Sequence, residues 1–389
     1  MLADQVGDNA GDVVGFISNV FSTYSLGVCA YLLILTNSIE SITSFPIYSL
    51  PFNLLALSLP ITILSSIIAQ RLTHANNKSN IERILTLKSL LLTLLMTPFI
   101  ALFIFAFLPP QMKFEAFGFL ITKLDIFICI ACGLWGGYII GISTGYFTSY
   151  DYYPVQEVAI SCHTGSATDI IYGLALGYLS TIFPIFILII LIYIGIAIAG
   201  MFGICLVGIG MLILFPSIVI DNTLAPISDN AEGIADVCKN INVRDNTTIV
   251  HESSKLTASN GRVYLLAVAT VISLAIFGAF TTYFDIKFVD LLKPLEFAGL
   301  VVGAVMPYVF SSLTLKSVSI AAREIYISMK KELDETKIND PKYVPSYMRC
   351  IAICTKISLS AMLYPVLLVV IIPFLSGLIG KNQCICCII

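Results

Sequence analysis

Charge is what this sequence has least of. Asp, Glu, Lys and Arg make up 12% of its 389 residues, where a soluble domain carries about a quarter. Such a chain has too few charges to cover a water-facing surface, so a soluble globular protein is excluded. There is one Trp and no basic stripe, and nothing points to a nucleic-acid partner. The eleven cysteines stand mostly singly in apolar segments, apart from Cys384, Cys386 and Cys387. Their arrangement indicates neither a zinc site nor a disulfide framework. No internal repeat and no low-complexity tract is evident.

What the chain has in abundance is apolar length. Hydrophobic residues make up 58% of it. Windows of about 20 apolar residues predict about nine spans, and with them an all-α polytopic membrane bundle in contact with lipid. The spans run roughly over 4–35, 52–70, 85–108, 124–148, 168–198, 202–235, 262–284, 296–326 and 350–379. Between 168 and 215 the apolar run is nearly continuous, and the split is placed near Gly200 and Gly203. The whole chain, 1–389, reads as one transmembrane domain, with 327–347 a solvated charged loop and 381–389 a Cys-rich tail.

Basic residues set the orientation. Sixteen of the twenty-one Lys and Arg flank the even-numbered connections: Arg71 to Lys88, Lys239 to Arg262, and Lys316 to Lys356. The positive-inside rule puts those connections, and the beginning of the first span, in the cytoplasm. The polar motifs described next fall on that side.

Asp4, Asp8 and Asp12 recur every four residues, which stacks three carboxylates on one helical face. Gly7, Gly11 and Gly15 recur with the same period, and small residues at that spacing let a second helix approach closely. Below Asp12 the helix is apolar to about Leu35. Acids at the mouth of a membrane helix are expensive and usually functional. Aligned carboxylates repel one another and call for cations, and an oxygen-rich set suits Mg2+. A second group, Asp221 with Ser228-Asp229-Asn230-Ala231-Glu232 and Asp236, lies at the cytoplasmic end of another apolar span. Asp245-Asn246-Thr247-Thr248, followed by Gly261-Arg262, is a third, although such polar runs are mostly turns. A fourth runs from Tyr153 to Thr168 and holds the lone His163, which more often has a structural role than a ligand's.

In sequence and order these segments resemble the membrane-bound, ion-pumping inorganic pyrophosphatases. The opening run resembles the family's Ala-Asp-Asn-Val-Gly-Asp-Asn-Val-Gly-Asp, and Pro226 to Ala235 its Ile-Ser-Asp-Asn-Ala-Gly-Gly-Ile-Ala-Glu. Pro154 to Tyr178, Pro307 to Lys316 and Arg349 to Lys356 match as well, so the likeness runs from Ala3 to about Gly377.

The resemblance implies part of a sixteen-helix fold that works as a homodimer and hydrolyses Mg-pyrophosphate at a cytoplasmic site. Hydrolysis there is coupled to H+ or Na+ transport, with K+ a candidate activator. It further implies that Asp4, Asp8, Asp229 and Asn246 hold Mg2+ and that Asp12 activates water. A vacuolar or other acidic-organelle membrane is implied for a eukaryote, and the plasma membrane otherwise. The family's acidic motif on the preceding helix and its C-terminal Gly-Asp-Thr-Val-Gly-Asp-Pro-Phe-Lys-Asp-Thr run do not occur in this sequence. They carry the phosphate-binding lysines and the second water-holding acid. The ion path departs too. Asp12, Asn19 and Leu26 share one stripe, seven residues apart. The family has Asp at the Asn19 position and often Glu at the Leu26 position, and neither Asn nor Leu carries a proton. Arg262 stands in the place of a Lys, an insertion of about nine residues near 249–257 separates it from Asn246, Glu232 replaces a Gly, and His163 replaces an Arg. These losses predict that the polypeptide alone does not hydrolyse pyrophosphate.

Overall fold

The computed structural model describes residues 7–36, 44–73, 78–114, 119–238, 241–284, 286, 290, 292–335 and 347–379. The chain divides into two compact units, Gly7–Tyr283 and the region from Phe284 onward. Both are helical, and eight helices among the described residues are long and apolar enough to cross a membrane.

In the first unit, helical turns at Asn9–Gly15 lead into α1 (Phe16–Leu35). α2 (Leu50–Leu72) and α3 (Lys78–Phe107) follow and pack on each other. A two-stranded antiparallel hairpin, β1 (Gln111–Phe114) and β2 (Phe119–Thr122), then pairs Gln111 with Thr122 and Phe114 with Phe119. The apolar windows do not reveal this small departure from an all-helical chain. α4 (Lys123–Thr148) begins on a capping box. The Thr122 hydroxyl accepts from the Asp125 N–H at 3.3 Å, while the Asp125 carboxylate accepts from the Thr122 N–H at 2.8 Å. Two orphan donors are thereby met at the start of a membrane helix. Two shorter helices, α5 (Tyr153–Ser161) and α6 (Ser166–Ser180), meet at Gly165. Its φ of +132° is a conformation that side-chain-bearing residues rarely adopt.

The run that follows accounts for the difference between eight helices and the nine spans expected. α7 (Ile182–Leu212) is broken at Ala199 and Gly200, where φ is −139° and +60°. At the break the chain turns back on itself. A Cβ on Gly203 would lie 2.0 Å from the Gly195 carbonyl oxygen, a contact impossible within one straight helix. The expected boundary near Gly200 is therefore a helical hairpin, and its second limb runs on into α8 (Phe215–Cys238). α9 (Ile241–Tyr283) packs antiparallel to that limb and to α8. Its first twenty residues are polar, and they are helical where a connection is expected.

Close packing also joins α4 to the second limb of α7. A Cβ on Gly133 would sit 2.1 Å from the Val207 carbonyl oxygen, and one on Gly210 would sit 2.1 Å from that of Ile130. Backbone-to-backbone approach of this kind supplies the dispersion energy that lipid cannot, since lipid tails are as apolar as Leu. The glycines of the opening motif behave otherwise. A Cβ on Gly7, Gly11 or Gly15 would meet nothing within 4 Å, so the expected close helix contact is not made among the described residues. Spacing every four residues permits an approach without supplying a partner.

In the second unit, α10 (Pro294–Glu335) and α11 (Tyr347–Ile379) pack on each other. The charged stretch expected as a loop begins inside α10. Residues 336–346 and the tail 381–389 lie outside the described residues.

Candidate functional site

Among the described residues, Asp12, Asp229 and Asp236 sit toward the polar end of the bundle formed by α1, α8 and α9. The first level is built on Asp12, in a stretch with the wider i→i+5 hydrogen bonding of a π-helix, Asn9–Gly15. Such turns are rare, mark functional sites often, and leave no signature in the acid spacing. The Asp12 carboxylate accepts from Arg262 Nη2 at 2.7 Å, and its backbone carbonyl accepts from Asn222 Nδ2 at 3.0 Å. Gly261 lies beside this contact, where a Cβ would press on Ile218 at 3.1 Å. Asp12 and Arg262, read separately from the sequence, are thus brought together.

The second level lies below, in the buried interior. Lys88 of α3 forms an ion pair with Asp221 of α8, and both side chains are at least nine-tenths buried. The sequence reading grouped Lys88 with the basic residues flanking a connection, yet it is a core cation. Beside this pair lies a cavity of about 180 Å³ between α3, α4, α8 and α9, with Glu82, Tyr138, Asp221, Asn260 and Tyr264 in its wall.

The third level lies further out along α8 and α9, where the numbering rises on one helix as it falls on the other. Ser228 meets Ser254, Thr248 Oγ1 donates to Glu232 Oε1 at 2.8 Å, and Arg244 Nε reaches Asp236 at 3.0 Å. Between them His251 Nε2 lies 3.3 Å from Asp229 Oδ1 and 3.4 Å from Glu232 Oε2. Asp229, Glu232 and His251 together form a group whose geometry could hold a metal ion.

The remaining expected residues fall as follows. Asp4 lies outside the described residues, while Asp8 and Asn230 are half-buried. Asn246 is exposed. The insertion lengthens α9 as unbroken helix, so Asn246 stands about 24 Å along the axis from Arg262. The hard-oxygen Mg2+ set read from the sequence is therefore not assembled by the described residues. Asp12 is held by Arg262, and Asp229 faces a nitrogen ligand and Glu232 in place of Asn246. The stripe below Asp12 points outward from this unit: Asn19 is exposed and Leu26 is 50% exposed. His163 is exposed in the short turn Cys162–Thr164. Sequence reasoning missed Lys88, His251 and the role of Glu232. The one available signal was the placement of His251 and Glu232 in the two departures from the family pattern.

Comparison with known proteins shows the family. The family model described as inorganic H+ pyrophosphatase matches residues 1–389. The chain belongs to that family. It is 28% identical to a K(+)-insensitive pyrophosphate-energized proton pump 2 of Moorella thermoacetica, over 98% of this chain and 57% of that one. It is 33% identical to a putative K(+)-stimulated pyrophosphate-energized sodium pump of Clostridium tetani, over 67% of this chain and 40% of that one. A K(+)-stimulated pyrophosphate-energized sodium pump of Thermotoga maritima is 27% identical, over 87% of this chain and 48% of its own length. The chain spans about half the length of these curated relatives. The pyrophosphatase family membership foreseen from the motifs and the helical membrane architecture foreseen from the apolar windows both hold.

Proposed function

We propose that this chain is a component of an ion-translocating membrane pyrophosphatase, the kind of machine that couples hydrolysis of Mg-pyrophosphate to H+ or Na+ transport. On this reading it works as a homodimer with its acidic end toward the cytoplasm, and alone it does not hydrolyse pyrophosphate. One observation carries the negative half. Asp12, the carboxylate placed by resemblance as the water-activating base, is engaged by the Arg262 guanidinium. A carboxylate oxygen so engaged is not presented to the water whose proton it would take. Mg2+ in the family neutralises the polyanionic substrate. This chain's described residues do not gather the carboxylates for it.

A second reading, a non-catalytic paralogue, draws on a different observation. Asn19 and Leu26 occupy the stripe below Asp12, and neither can pass a proton onward. Purified full-length chain, assayed for Mg2+-dependent phosphate release from pyrophosphate with Asp12→Ala as control, tests the proposal. No release above the control is expected. Release that Asp12→Ala abolishes would overturn it.

A further inference from the structure

We propose that Asp229, Glu232 and His251 form a binding site for a divalent transition ion of the Zn2+ class, distinct in chemistry from a Mg2+ site. Asp229 and Glu232 stand three residues apart on α8 and so share one face. His251 reaches them from α9, and the three ligand atoms all lie within 4.8 Å of one another.

Two of the three ligand separations suit a tetrahedral site. Two ligands bound at about 2.0–2.1 Å in a tetrahedral site stand about 3.3–3.4 Å apart. His251 Nε2 stands 3.3 Å from Asp229 Oδ1 and 3.4 Å from Glu232 Oε2, which are two edges of that tetrahedron. Octahedral Mg2+ would bring neighbouring ligands to about 2.9 Å and prefers oxygen throughout. Charge-assisted hydrogen bonds would also be shorter, at about 2.7–2.9 Å. An imidazole with two carboxylates suits Zn2+ and its neighbours, and three protein ligands leave a fourth position open.

The site is built and held. Thr248 donates to the other oxygen of Glu232, Oε1, which leaves Oε2 to face the imidazole. The His251 side chain is 8% exposed, and its Nδ1 is buried with no hydrogen-bond partner. Glu232 stands where the family pattern has Gly, and His251 lies in the inserted segment, so two of the three ligands come from this chain's own departures. The inference does not depend on whether the chain binds pyrophosphate.

Cobalt tests it directly. The full chain, purified in detergent and stripped with a chelator, is titrated with Co2+ alone and followed by visible absorption. The expected result is a saturable, stoichiometric band of four-coordinate intensity, displaced by Zn2+ and not by excess Mg2+. His251→Gln and Glu232→Gly should each lose the band, while Asn246→Ala should keep it. A weak six-coordinate spectrum, displacement by Mg2+, or a band that survives His251→Gln in a monodisperse protein would overturn the site. Should His251→Gln not fold, the same loss or survival is read from Glu232→Gln.

Discussion

In the first third of α8, Asp221 meets Lys88 in the buried interior; about 12 Å further along the same helix, Asp229 and Glu232 meet His251 at its margin. The partner of Asp221 is a fixed cation from a third helix, and together they close a charge balance. The partner of the outer acids is a group that can change its proton or accept a metal. One helix therefore carries two kinds of polar contact: an inner one that fixes the bundle and an outer one open to exchange with solvent ions. Depth decides between them. Lys88 and Asp221 are both at least nine-tenths buried, so either alone is a poorly solvated charge, whereas Asp229 and Glu232 retain partial access to solvent.

The largest expected break of this contrast is at the inner level. Lys88→Met leaves Asp221 buried and unpaired and should destabilise the chain by about 3–5 kcal/mol. Its double mutant with Asp221→Leu should recover most of that loss. Thermal unfolding in detergent, followed by the fluorescence of the single Trp135, reads both. A double mutant as unstable as the single one would show that the pair does more than cancel charge. Gly210→Ala comes next, because its Cβ would collide with the Ile130 carbonyl oxygen at 2.1 Å. The same measurement should show a loss of about 1–3 kcal/mol. Gly11→Ala, which meets nothing within 4 Å, should instead be neutral or stabilising by up to about 1 kcal/mol. Tyr264→Phe is smaller. It removes a buried 2.6 Å hydrogen bond to the Met211 carbonyl and should lower stability by about 1 kcal/mol.

The inner level was the more legible from sequence in one sense and the less so in another. Apolar length placed the helices, and the glycines near 200 placed the reversal within α7, because a membrane span has a fixed length and Gly tolerates a positive φ. The partner of Asp221 was not legible, since Lys88 lies 133 residues away and a lone Lys near a span's end reads as an interface cation. The outer level failed differently. The segment from Ile241 to Arg262 lacks an apolar stripe and reads as a connection. It is helical because its polar residues find polar partners across on α8: Arg244 on Asp236, Thr248 on Glu232, His251 between two acids. A hydrophobic period cannot report a helix pair joined by polar contacts. The resemblance named Asp12 and Asp229 as important, but their neighbours follow from a lengthened α9, and only the folded chain puts His251 where Asn246 was expected.

The smallest expected effects sharpen the outer level. Arg244 and Asp236 are 65% and 48% exposed, Arg262 and Asp12 55% and 40%. Exposed pairs of this kind contribute about 0.2–1 kcal/mol after screening by solvent and salt. Arg244→Gln and Arg262→Gln should therefore lower stability by no more than that, and the difference should vanish at high ionic strength, where the Debye length falls to about 3 Å. The two mutants separate by function. Arg244→Gln should leave cobalt binding unaltered, because Asp236 is not one of the three ligands. Arg262→Gln removes the guanidinium that stands 2.7 Å from Asp12 Oδ1 and so frees that carboxylate. If Mg2+-dependent phosphate release then appears where the parent chain has none, the guanidinium is what silences Asp12. If release stays absent while stability is unchanged, the silence comes from the wider loss of the carboxylate set around it.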